Sequence, residues 1–382
     1  MLFEIIIFLA ILMFLVFIHE LGHFYTAKKF GIRVEEFGLG LPPRAIGKKI
    51  GDTIYSLNWL PLGGFVQIKG ENFDDTYDPQ DKENFMNKKP WQRSVVLLAG
   101  IFMNLVFAVL IFYVSLGFNN WNSAPMVSLN EYEFPFGQTI RIPNIVLNIK
   151  EGSAAEKSGI ELGDRLLSLE YEGQVIEVKD VQDIRAFLAD KENKEISVNI
   201  INMATGIEST KKFIPEYNEE LKQPALGVSL DSGIKISYEK PTDKVFSGLF
   251  HATNLVIYNV EILKSLAGIS IAEKTVEPIA QSVSGPIGIF DVVKTILNTQ
   301  SEHPFLAILD IAGIISLSLA IMNLLPIPAL DGGRVVFVLI EWISGRKVSQ
   351  KIEATLHHYG FMFLIALIIL ITFKDVWMIW AR

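Results

Sequence analysis

Phe17-Ile18-His19-Glu20-Leu21-Gly22-His23 closes an apolar run, residues 2–18, in which Glu4 is the only charged residue. On a helix, residues four apart share a face, so His19 and His23 can offer two imidazoles to one ion. Glu20, beside the first histidine, is placed to act on a metal-bound water. That is the physical content of the H-E-x-x-H zinc pattern, with the glutamate as general base. The apolar run makes the host helix a membrane span. At about 1.5 Å per residue, His19 lies roughly 27 Å along a helix that starts at Met1, deep in a bilayer. Polar groups at that depth mark a functional site. The run reads as a retained span and not a cleaved signal peptide. Glu4 precedes it, Lys28, Lys29 and Arg33 follow it, and no small-residue cleavage site is present.

Composition narrows the class. The chain has 382 residues, half of them hydrophobic, with 26 Phe and a net charge of −8. It is too apolar for an ordinary soluble domain, and its charge gives no reason to expect nucleic acid as a partner. With no cysteine, disulfides, thiolate ligands and a cysteine nucleophile are excluded, so zinc has only His and carboxylates to hold it.

The expected fold class is an α-helical polytopic membrane protein of about four transmembrane helices, with a small cytoplasmic-side β-sheet and one inserted extracytoplasmic PDZ-like α+β domain. Residues 1–27 form the first span. Basic residues after it, with Arg44, Lys48 and Lys49, place residues 28–89 on the cytoplasmic side and the N-terminus outside. Within that region, residues 31–70 read as short hairpins punctuated by Gly and Pro. They suit either a compact cap or a sheet edge offered to an extended peptide. Residues 71–89 read as a polar surface loop. The second span is 90–118; Gly100 and Asn104 within it read as helix-packing positions, with Asn104 facing the site as the alternative. Charge and strand patterns return in 140–232, where Gly152 to Asp164 resembles a PDZ helix-and-turn stretch and Val181 to Leu188 suits the second PDZ helix. Such a domain either binds extended chains or restricts access by bulk. Residues 243–269 read as an amphipathic interfacial helix, 304–333 as the third span and 354–376 as the fourth.

Two histidines leave a catalytic zinc site incomplete, since three protein ligands are usual. If the chain starts outside, spans one and three both run inward. Asp331, in Leu330-Asp331-Gly332-Gly333 after Pro326 and Pro328, then reaches the same side as His19 and His23. Asp310 falls near the opposite face. Of the remaining histidines, His251 and His303 fall on the outer side, and His357 and His358 read as solvent or interface residues.

His19-Glu20-Leu21-Gly22-His23, Asn323-Leu324-Leu325-Pro326 and Leu330-Asp331-Gly332-Gly333, with a PDZ-like insert between spans two and three, resemble the site-2 protease family of intramembrane zinc metalloproteases. The resemblance is nearest to the regulator of sigma-E protease (RseP) type and covers nearly the whole chain. It implies one Zn2+ bound by His19, His23 and Asp331, with Glu20 as catalytic base. It also implies a substrate- or transition-state-binding role for Asn323. Implied substrates are single-span membrane proteins, such as an anti-sigma factor, or remnant signal peptides. The implied location is the bacterial cytoplasmic membrane, with the active site toward the cytoplasm and the PDZ-like domain outside. Some relatives carry two PDZ domains; this insert has room for one. The rival readings are a catalytically silent PDZ scaffold and a metal transporter. A rhomboid-type serine protease is disfavoured, because Ser282-Val283-Ser284-Gly285 lacks the glycine expected before the nucleophile.

Overall fold

The computed structural model describes residues 2–71, 78–127, 132–150, 152–161, 163–203, 206–219, 221–298 and 304–380. Helix α1 (Leu2–Lys29) contains no proline, and its basic last turn, Lys28 and Lys29, suits the negative end of the helix dipole. It stops where Gly31 takes φ +64° and the Ile32 N–H returns to the Ala27 carbonyl at 2.9 Å. Strands β1 (Val34–Ile50) and β2 (Thr53–Ile68) follow, then α2 (Pro90–Phe118), which has proline at its first position. The middle of the chain holds β3 (Met126–Val127), β4 (Gln138–Ile149), α3 (Ala154–Ser158), β5 (Asp164–Tyr171), β6 (Gln174–Glu177) and α4 (Val181–Leu188). It continues with β7 (Ile196–Asn202), β8 (Glu208–Phe213), β9 (Glu216–Asn218), β10 (Gln223–Ala225) and β11 (Val228–Ser237). The last third is helical: α5 (Pro241–Val245), α6 (Ser247–Glu273), α7 (Glu277–Ser282), α8 (Pro286–Asn298), α9 (Pro304–Leu324), α10 (Asp331–Ser344) and α11 (Gln350–Trp380).

Among the described residues, five helices are long and apolar enough to cross a membrane: α1, α2, Ser247–Ala272 within α6, Phe305–Leu324 within α9, and Lys351–Trp377 within α11. The sequence pattern predicts four, with α6 on the membrane surface. The expected third span, 304–333, is not one helix. Pro326 and Pro328 cannot donate to a helical ladder, and their rings clash with the preceding turn. The chain therefore leaves α9 at Leu324, runs irregularly, and starts α10 at Asp331.

The chain forms two compact units. The first comprises Met1–Phe112, Ser265–Thr295 and Ile308–Arg382. In its sheet the opening half of β1 is central. Phe37 pairs with Val66 on one side and Tyr55 on the other, while the second half of β1 pairs outward with β2 down to Ile50–Thr53. Segment Gly64–Ile68 is therefore an edge, with no strand on its outer side among the described residues. The sheet packs on α1 through Phe17 and Phe24 against Phe37, at ring-centroid distances of 5.6 and 5.0 Å. A buried core of Ala27, Ile32, Val34, Ile68, Val96, Leu97, Val335 and Val338 ties α1, both strands, α2 and α10 together. Phe85 and Met86 join that core. The expected surface loop 71–89 thus dips inward at a short 3-10 turn, Phe85–Asn87. Arg93, 2% exposed, pairs with Glu341 of α10 at 2.7 Å.

The second unit comprises Tyr113–Lys264 and Ile296–Ala307. Its main sheet has the order β3-β11-β4-β5-β7-β8, with β6 on β5, so the sheet extends beyond the expected 140–232 at both ends. Alternating burial on β7 and the apolar face of α4, Ile184, Phe187 and Leu188, enclose one core. Asp180 and Asp183 cap α4 reciprocally. A second core packs Tyr258, Phe250 and Ile262 of α6 on Phe134, Ile234, Ile236 and Tyr238.

Candidate metal centre

One turn of α1 separates His19 from His23, and both rings leave the same face, buried. Their Nε2 atoms lie 3.1 Å apart. Oδ2 of Asp331, at the first position of α10, lies 3.0 Å from His19 Nε2 and 3.4 Å from His23 Nε2. Donors about 2.0–2.1 Å from a tetrahedral ion lie about 3.3 Å from one another. The triangle of 3.0, 3.1 and 3.4 Å therefore fits three protein corners of a zinc site and leaves the fourth open. Imidazole nitrogens and a carboxylate oxygen turned on one another this closely repel unless a metal ion or a proton lies between them. This is the one trio of possible metal ligands so placed among the described residues.

Glycines allow the approach. A Cβ on Gly22 would sit 2.4 Å from the Ala99 carbonyl oxygen, and one on Gly100 would sit 2.3 Å from His23 Nε2 and 2.7 Å from His19 Nε2. Helices α1 and α2 cross backbone to backbone at this point because neither glycine has a side chain. The Asp331 side follows the same logic. Cβ atoms on Gly332 and Gly333 would meet the Leu324 and Ile327 carbonyl oxygens at 2.4 and 2.3 Å. Between them Ala329 takes φ +83° and its N–H donates to His357 Nδ1 at 2.8 Å. His357 thus braces the turn that presents Asp331 and is not the solvent or interface residue that the sequence alone suggests.

Helix α2 also contacts the far side of both imidazoles. His23 Nδ1 is 2.8 Å from the Val96 carbonyl oxygen, and the Asn104 amide lies 3.4 Å from His19 Nδ1. Asn104 thus faces the histidines, which was the alternative to packing alone. Glu20 opens into a recess of about 200 Å³ shared with His19, His23, Asp331, Ala329, Arg334, Glu71, Phe65, Val66 and Ile68. Val66 lines the recess beside Glu20, and Arg334 pairs with Glu71.

Asn323 lies half-buried at the end of α9 and is not among the described residues that line the recess. His251 is buried against the Tyr238 hydroxyl at 3.3 Å, His358 is exposed, and Asp310 is half-buried on the opening half of α9. His303 lies outside the described residues. Sequence reasoning missed Val96, whose carbonyl carries no side-chain signal, and the Glu71–Arg334 pair. For Arg334 a signal existed, a cation directly after Asp331-Gly332-Gly333 at a polar helix start.

Known proteins agree with this chemistry. The model for peptidase family M50 matches residues 7–367. A protein of Fusobacterium nucleatum, provisionally named a zinc metalloprotease, is 31% identical, with 95% of each chain covered. Similarly named proteins of Clostridium acetobutylicum and Clostridium perfringens are 31% and 33% identical, covering 96% and 95% of each chain. With the family pattern running nearly end to end and relatives alike over almost their full length, the chain belongs to peptidase family M50, the site-2 protease family, and is a zinc metalloprotease.

Proposed function

We propose that the protein hydrolyses peptide bonds within or near the transmembrane segments of single-span membrane proteins or remnant signal peptides, using His19, His23 and Asp331 as zinc ligands and Glu20 as general base. One observation carries the reading: the ligand triangle is built on α1, a 28-residue helix that qualifies as a membrane span. A site at that depth serves substrates that are themselves in the membrane.

His19, His23 and Asp331 would hold the zinc, which when bound would polarise a carbonyl and make water acidic enough to lose a proton near neutral pH. Glu20 takes that proton and returns it to the leaving amine, so the carboxylate ends as it began. Val66 lines the recess beside that carboxylate. A helical substrate has its amides already paired, so it unwinds before a carbonyl reaches the site. The open edge Gly64–Ile68, which lines the recess beside Glu20, supports capture of the unwound segment as an added strand.

In this reading the N-terminus is outside and the site lies toward the cytoplasmic face, following the basic residues after α1 and before α2. Helix α6 lies along the interface. His251, Asn254 and Tyr258 of α6 bond or pack with Tyr238, Phe136 and Phe134. Residues 263–273 then span only about 16 Å, too short for a hydrocarbon core of about 30 Å. A further crossing there would also put Asp331 on the wrong side for His19. The 138–237 segment acts as a PDZ-like module. Val181, Ile184 and Leu188 of α4 face Leu226, Val228 and Leu230 across a recess of about 270 Å³, which supports binding of an extended apolar chain.

Reconstitution of the full chain in liposomes with a single-span substrate tests the proposal. A zinc chelator should stop cleavage and added Zn2+ should restore it, with the cut mapped by mass spectrometry to the membrane segment or its border. Undiminished cleavage after zinc removal, or cuts confined to soluble regions, would overturn it.

A further inference from the structure

We propose that Asn104 is a positioning residue for the metal centre, its amide oxygen accepting a hydrogen bond from His19 Nδ1–H and so holding His19 with a bare Nε2 toward zinc. The inference rests on the reading that His19, His23 and Asp331 bind the ion.

Asn104 is completely buried, at 0% exposure. Its Nδ2 lies 3.4 Å from His19 Nδ1, and its Oδ1 is buried with no hydrogen-bond partner. A neutral imidazole carries one proton, and Nε2 of His19 faces Asp331 and His23. A bare Nε2 puts the proton on Nδ1, which then needs an acceptor. An amide N–H cannot be that acceptor. A half-turn of the Asn104 amide exchanges its oxygen and nitrogen in the same envelope. It gives Nδ1–H its acceptor and the orphaned oxygen its donor. His23 already shows the arrangement, since its Nδ1 faces the Val96 carbonyl, which can only accept, at 2.8 Å. Both outer contacts come from α2. The Asn104 backbone is held in turn by Ser316 of α9, whose hydroxyl donates to its carbonyl at 2.8 Å. A packing asparagine would spend its side chain on a neighbouring helix, and among the described residues the hydrogen-bond partner of this one is His19.

The test uses the full chain in detergent, stripped of metal, as wild type, Asn104→Leu, Asn104→Asp and His19→Ala. Zn2+ affinity is read by competition with a chromophoric chelator, and site geometry from the visible spectrum of the Co2+ form. Asn104→Leu, close in shape but without an acceptor, should bind Zn2+ about 10–100-fold more weakly with an altered Co2+ spectrum. Asn104→Asp, which retains an acceptor, should stay within about threefold of wild type. Wild-type affinity and spectrum in Asn104→Leu, or equal weakening in Asn104→Asp, would overturn the proposal. His19→Ala separates the premise from the inference: wild-type affinity there sinks the ligand assignment, whatever Asn104 does. A measurement on the unaltered protein covers the case in which Asn104→Leu fails to fold. In the 15N-histidine, zinc-loaded chain, His19 should carry its proton on Nδ1, and a proton-free Nδ1 would overturn the proposal.

Discussion

Replacing Glu20 by Gln should lower the cleavage rate by about 10²–10⁴-fold, the range for removing a positioned general base, and leave one zinc bound per chain. The amide is nearly the shape of the carboxylate, so the recess shared with Val66 and Asp331 persists. An amide cannot take a proton from water or return one to the leaving amine. Because Glu20 stands outside the ligand triangle, metal content and proteolysis should separate. Zinc analysis on purified Glu20→Gln, beside turnover of a reconstituted membrane substrate, checks both halves. Proteolysis at the wild-type rate would remove Glu20 from the mechanism, and loss of zinc would make it a ligand. Membrane proteomics comparing wild type with this variant would also reveal natural substrates as the proteins that accumulate uncut.

The second large effect is expected from one methyl group. In Gly100→Ala the new Cβ would lie 2.3 Å from His23 Nε2 and 2.7 Å from His19 Nε2, distances at which atoms must move. Both imidazoles are gripped from behind, by Val96 and Asn104 of the same helix that would carry the methyl. Relief therefore comes from parting α1 and α2, which opens the ligand triangle. A misplacement of about 1 Å costs on the order of 10²-fold in rate, and here the ligand set goes with it. Zinc content well below one per chain and a matching loss of cleavage are the expected readings. Full zinc occupancy would mean that the helices yield at no cost to the site.

How much of this was legible in the residues follows from where the information lay. His19, Glu20 and His23 are a local pattern, since the helix alone places them. Asp331 is 312 residues from His19, yet topology could reach it, because basic residues orient spans and prolines end helices wherever they occur. Strand runs such as Ile196 to Ile200 and the helix Val181–Leu188 were also readable, since alternation and capping are local. What stayed hidden depends on packing. Nothing near Asn104 says that α1 crosses α2 with that side chain against His19. His357 carried no partner motif because its partner is the backbone N–H of Ala329. The division of the third span into α9 and α10 was visible as two prolines, but its purpose was not. It frees a helix start to carry Asp331 while Gly332 and Gly333 pack against the carbonyls of the preceding turn. The apparent surface loop misled because its polarity masked Phe85 and Met86, the two residues that enter the core.

The most direct measurement is zinc-edge X-ray absorption on the full-length protein, paired with metal content in wild type and Asp331→Ala. The ligand assignment predicts one zinc per chain with nitrogen and oxygen neighbours at about 2.0–2.1 Å, two of them imidazoles. It also predicts loss of most of that zinc when Asp331 is removed. Wild-type zinc content and an unchanged absorption spectrum in Asp331→Ala would contradict it.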